Sequence, residues 1–170
     1  MKRFSLFALL ALIFTFNLHA QNSAWRQATN AELASLLPAR APVIKEHIET
    51  EMPTASGIVD GHDHYIAGVV LITAGYSAEG KYSHYLVVQS PIKVGGVALK
   101  SGEYVFGYTH SGDVLNVHFN EAATGNLVGT TDAHIMAGNR AVTSLHIWPP
   151  NSKAVFQIGR FAIPYELTEK

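Results

Sequence analysis

Gly102-Glu103-Tyr104-Val105-Phe106-Gly107-Tyr108-Thr109-His110-Ser111-Gly112-Asp113-Val114-Leu115-Asn116-Val117-His118-Phe119-Asn120 is the stretch that decides the fold. Ser111-Gly112 is a two-residue hairpin signal set between two alternating runs. In 113–120, Leu115, Val117 and Phe119 fall on one face, with Asn116, His118 and Asn120 on the other, because strand side chains alternate sides. In 103–110, Tyr104, Phe106, Tyr108 and His110 share a face opposite Glu103, Val105, Gly107 and Thr109. The stretch predicts two antiparallel strands packing one face on a core.

The same pattern continues on both sides. Strands are expected near 65–74, 82–90, 103–110, 113–120, 127–135, 141–148, 154–159 and 161–167. Turn signals separate them every eight to twelve residues, among them Ser77-Ala78-Glu79-Gly80, Thr124-Gly125-Asn126 and Ala137-Gly138-Asn139. No ten-residue helical pattern interrupts the series, which argues against parallel βαβ architecture. Val69-Val70-Leu71-Ile72 is apolar on both sides, as in a central strand covered twice. Gly68, Gly107, Gly129 and Gly159 fall where a sheet must bend or close. The expected fold class is all-β: an antiparallel barrel or two-sheet sandwich of about eight strands.

Upstream the pattern reads as helical. Thr29 and Glu32 have the spacing of a capping box before Asn30–Leu37, and Pro38 stops the run. Pro42 is suited to open a second helix, with Ile44, Ile48 and Met52 on one face; an alternating strand through Ile48, Thr50 and Met52 fits the residues less well. Residues 21–53 are therefore expected to form a helical segment packed on a β-domain of residues 54–170.

Lys2 and Arg3 precede an apolar run, Phe4 to Phe16, and Ala20 closes a short polar stretch. That is the pattern of a secretory signal peptide, residues 1–20, too short an apolar run to span a bilayer. The expected destination is the periplasm or the extracellular space, with no membrane anchor after cleavage. Loss of Lys2 and Arg3 leaves 10 basic against 13 acidic side chains, so the exported chain is mildly acidic.

The 170 residues suffice for one domain with a substantial core. A formal net charge of −1 offers no field to hold nucleic acid. The absence of cysteine excludes disulfides, thiolate nucleophiles, Cys-type zinc sites and lipid attachment at an N-terminal Cys.

Histidines supply one candidate site. In Gly61-His62-Asp63-His64-Tyr65 an extended backbone directs His62 and His64 to the same side, and His84 or His110 could complete a first-row transition-metal site. The plain reading of the segment is a polar turn before the strand at 65–74. The H-x-H resembles the metal motif of cupins, which implies a glycine six residues before the first His and a Glu four or five after the second. Gly57 lies five before His62, and positions 68 and 69 are Gly and Val, so no ligand set carries over. Aromatic residues supply another candidate site: Tyr104, Tyr108, His146 and Trp148 could wall a ligand cavity, although aromatics also fill β cores.

No G-x-S-x-G, H-E-x-x-H or Walker-type loop is present, and no pair of carboxylates has acid/base spacing. Residues 92–120, with Val94-Gly95-Gly96-Val97 leading into Gly102-Glu103-Tyr104, resemble small secreted bacterial β-domains of unknown function. That resemblance implies fold and compartment only. The expected function is non-enzymatic binding of a small molecule or a cell-envelope protein. The alternatives are a metal-dependent enzyme built on His62 and His64, and an assembly protein pairing through an exposed β-edge.

Overall fold

A computed structural model describes residues 25–138 and 141–168. The expected signal peptide and the turn residue Asn139 lie outside the described residues. In chain order the elements are β1 Arg26–Gln27, α1 Asn30–Leu36, β2 Arg40–Val43, β3 Glu46–Val59, β4 Tyr65–Leu71, β5 His84–Val88, β6 Ile92–Val94 and β7 Val97–Leu99. They continue with β8 Gly102–Ser111, β9 Val114–Glu121, β10 Leu127–Ile135, β11 Thr143–Ile147, β12 Val155–Gly159 and β13 Phe161–Leu167.

All pairings are antiparallel, in the order β1-β3-β4-β5-β8-β9-β10-β13-β12-β11, and the sheet curls into a nearly closed barrel. Among the described residues thirteen strands replace the expected eight; the additions are β1, β2, β3, β6 and β7. The central hairpin forms with Ser111 opposite Val114, so Gly112 and Asp113 make the turn and Gly112 takes a φ of 60°. β10 pairs with β13 only at His134↔Ala162 and Ile135↔Phe161; further along, β13 takes β6 as its neighbour. The β6–β7 hairpin thus fills the wedge between them, tied by the Thr131 hydroxyl to the Gly95 carbonyl at 2.9 Å.

The first helix forms as expected. Thr29 Oγ1 accepts from the Glu32 amide at 3.3 Å, and the Glu32 carboxylate accepts from the Thr29 amide at 2.7 Å. The second helix does not form, and the helical segment of residues 21–53 is corrected accordingly. Residues 40–43 and 46–59 are β2 and the long strand β3, paired Ala41↔Ile48 and Val43↔Glu46 around Ile44-Lys45. Ala41 and Val43 are buried at period two and Ile48 is buried opposite Ala41, whereas Ile44, placed on the expected helical face, is exposed. Pro42 is accommodated because β2 pairs with β3 alone and is an edge strand.

Two cores result. Inside the barrel, Ile66, Leu86, Tyr104, Phe106, Leu115, Val117 and Phe119 pack with residues of β6, β7, β11, β12 and β13. Outside it, Leu33 of α1, the C-cap residue Leu37, and Ala41, Val43 and Ile48 of the β2–β3 hairpin cover Ala67, Val69, Tyr85, Val87 and Val105. β5 is consequently buried along its whole length, and β4 and β5 are the doubly covered strands. The N-terminal layer covers one wall of the barrel from outside. That wall carries His84.

Candidate functional site

At one end of the barrel β4, β8 and β12 finish and β5 and β11 begin, and a cavity of about 360 Å³ opens there. Its apolar wall is Val70, Tyr108, Val142 and Ile158; its polar groups come from Ser83, His84, Thr143 and Ser144. His84 forms the floor. It is 3% exposed and stacks on Phe106 with ring centroids 4.5 Å apart and planes 3° from parallel. Phe106 in turn packs on Phe119 at 5.4 Å, so the cavity ends on the aromatic centre of the interior core.

The hydrogen bonds of His84 fix its tautomer. Nε2 lies 3.3 Å from the Ser144 carbonyl, which can only accept, so Nε2 carries the proton and donates. Nδ1 is then an acceptor, and the Ser83 hydroxyl, 2.8 Å away, donates to it. Burial pushes the His84 pKa down to about 4, against the opposing pull of the Ser144 carbonyl, so the ring is neutral near pH 7. Among the described residues no charged side chain lines the cavity.

The candidate residues fall in separate places. Tyr108 stands at the mouth, 6.3 Å from the His84 ring. Tyr104 lies at the opposite end of β8, buried, its hydroxyl donating to the Lys100 carbonyl at 2.9 Å. His146 and Trp148 lie together, ring centroids 4.2 Å apart, on the face of β11 opposite the interior residues Leu145 and Ile147. The Trp148 ring N–H donates to Gln157 Oε1 at 2.9 Å, and Lys153 Nζ sits 3.3 Å from the ring centroid. Burial, with a smaller contribution from Lys153, lowers the His146 pKa. These contacts bind the end of β11 to β12, with Trp148 partly exposed.

The proposed metal ligands are dispersed too. His62 and His64 are 6.3 Å apart in the β3–β4 turn. Asp60 holds that turn, accepting from the His62 amide at 2.7 Å and the His64 amide at 2.9 Å, and contacting His64 Nδ1 at 2.9 Å. His84 is on the barrel floor, and His110 meets the edge of Phe161 at 5.6 Å. Among the described residues no three His, Asp or Glu side chains are grouped to hold a metal ion. His84 and Tyr108 are the two candidates that the fold brings to one cavity.

A wider depression of about 410 Å³ lies beside α1, between Glu32, Asp63, Tyr65 and Gln89. Mostly surface side chains wall it, and it reaches no buried polar group. The barrel mouth has the features of a small-molecule site: concavity, an apolar wall and a few fixed polar atoms. Ser83, Thr143 and Ser144 are the lining residues that spacing does not reveal. Ser144 meets His84 across 60 positions of sequence. Compared with protein-family models, curated proteins and solved structures, the chain finds no match in any of the three.

Proposed function

We propose that the chain is an exported binding protein whose barrel mouth takes up an uncharged small molecule without transforming it. The observation that carries this reading is the cavity of about 360 Å³ that reaches a buried, neutral histidine. Ligand sites of about 300–1,000 Å³ favour the mouths of β-barrels and are mainly apolar with few orienting polar groups. Among the described residues no opposite charge meets a charged ligand as it sheds water, a cost of several kcal/mol by order of magnitude, about what a weak complex gains in total. His84 is a poor general base near neutral pH because its pKa is pushed down to about 4. Export rests on the N-terminal sequence pattern.

The test uses N-phenyl-1-naphthylamine, an uncharged fluorophore that brightens on leaving water. Wild-type protein should enhance its emission saturably. Val142→Trp, which places a bulky ring at the 75% exposed rim position, should abolish the enhancement without lowering the melting temperature. Absence of enhancement, or enhancement that survives Val142→Trp, would contradict binding at the mouth.

A further inference from the structure

The hydrogen bonds at the cavity floor run in one direction. Ser83 donates to His84 Nδ1 at 2.8 Å, and His84 Nε2 donates to the Ser144 carbonyl at 3.3 Å. Among the described residues the other acceptor within reach of the Ser83 hydroxyl is the Phe106 carbonyl at 3.4 Å. Whichever of the two it uses, the hydroxyl hydrogen points into the wall. A hydroxyl oxygen has one hydrogen and two lone pairs. Among the described residues no protein donor other than the His84 ring approaches Ser83 Oγ, and that ring's proton lies on Nε2. Ser83 is half-buried and lines the cavity, so its oxygen meets a ligand as an acceptor.

Resting on the binding reading above, we propose that the mouth selects an uncharged aromatic hydrogen-bond donor, of the phenol or indole class, whose O–H or N–H is accepted by Ser83 Oγ. Tyr108, Val70 and Ile158 give the ring apolar contact, and Tyr108, exposed at the rim, can pack against its face or edge. A ligand presenting only acceptors finds the chain pointing the wrong way. It leaves the Ser83 lone pairs unpaired as well, and a site built to receive a donor discriminates strongly against an analogue lacking one.

The probe pair is 2-naphthol and 2-methoxynaphthalene, alike in shape except that methylation removes the donor. Both are titrated into the full chain by calorimetry, against wild type, Ser83→Ala and Ser83→Thr. Wild type should bind 2-naphthol at least about tenfold more tightly than the ether, the ratio one hydrogen bond of ordinary net strength supplies. Ser83→Ala should remove that preference, and Ser83→Thr, which restores a hydroxyl, should keep it. Thermal melting of each variant separates loss of the hydroxyl from loss of the fold. Equal wild-type affinities, or a preference that persists in Ser83→Ala, would overturn the donor assignment while leaving the cavity a binding site. Binding of neither probe would overturn both.

Discussion

The backbone N–H of Ile147 donates to the hydroxyl oxygen of Ser56, a buried bond of 2.9 Å across the seam between β11 and β3. These are the strands that meet where the barrel is not closed by a backbone ladder, and a side chain supplies the acceptor that a neighbouring strand would otherwise offer. Gln27 Nε2 reaches the same oxygen at 3.4 Å, bringing β1 into the closure. Ser56→Ala leaves the Ile147 amide buried without a partner, so a loss of about 1–3 kcal/mol is expected. Urea unfolding measures it; an unchanged midpoint would mean that apolar packing alone holds the seam.

His84 makes stability depend on pH. In the unfolded chain its pKa returns to about 6.5. Burial lowers the folded value to about 4, so between these two values the unfolded chain binds a proton that the folded chain refuses. The contribution of neutral His84 is complete above the unfolded pKa and declines as pH falls toward the folded one. From pH 7 to pH 5 the loss should be about 2 kcal/mol. His84→Gln removes this portion of the decline and leaves that of His146, whose lowered pKa acts with the same sign. Identical pH profiles for variant and wild type would contradict the burial of a neutral ring.

Gly107 sits where another residue has no room. A Cβ there would lie 2.0 Å from the Lys81 carbonyl oxygen and 2.9 Å from His118 Nε2. That carbonyl is the partner of His118 at 2.9 Å, a tie that anchors the loop 72–83 just before Ser83 and His84. Gly107→Ala should cost about 1–3 kcal/mol, as overpacking does, and should speed amide exchange in residues 81–83. Retained stability would show that the loop yields freely.

How far the sequence discloses this architecture depends on the range of the interaction. β8, β9 and β10 are readable because alternation and turn residues are local, and the Gly95-Gly96 turn likewise forms, at φ of 54° and 91°. The β2–β3 hairpin is obscured by a coincidence. Pro42 suits both a helix start and an edge strand, and Ile44, Ile48 and Met52 repeat every four residues although only Ile48 is fully buried. The strand shows itself in the structure as the period-two burial of Ala41 and Val43. At the site, His62 and His64 attract attention by proximity in sequence, yet Asp60 organises them as a turn. Ser83, His84 and Ser144 meet through strand order, which one chain does not announce.

Ile44 turns the β2–β3 hairpin at a φ of 56°, a left-handed conformation that strains a β-branched residue by about 1–2 kcal/mol. The residue is 47% exposed, so only part of its apolar surface is buried to offset the strain. Ile44→Gly should raise stability by up to about 1 kcal/mol once the greater freedom of unfolded glycine is counted. Thermal or urea unfolding checks this. A drop in stability would show that the approach of Ile44 to Gly125 outweighs the strain.

The most direct test of the barrel mouth as the binding site is amide shift mapping of the isotope-labelled protein during titration with 2-naphthol. Binding at the mouth should give saturable shifts concentrated at Ser83, His84, Tyr108, Ser144 and Gly159, with α1 undisturbed. Shifts centred on Glu32, Tyr65 and Gln89 beside α1, or no saturable shifts at all, would contradict it.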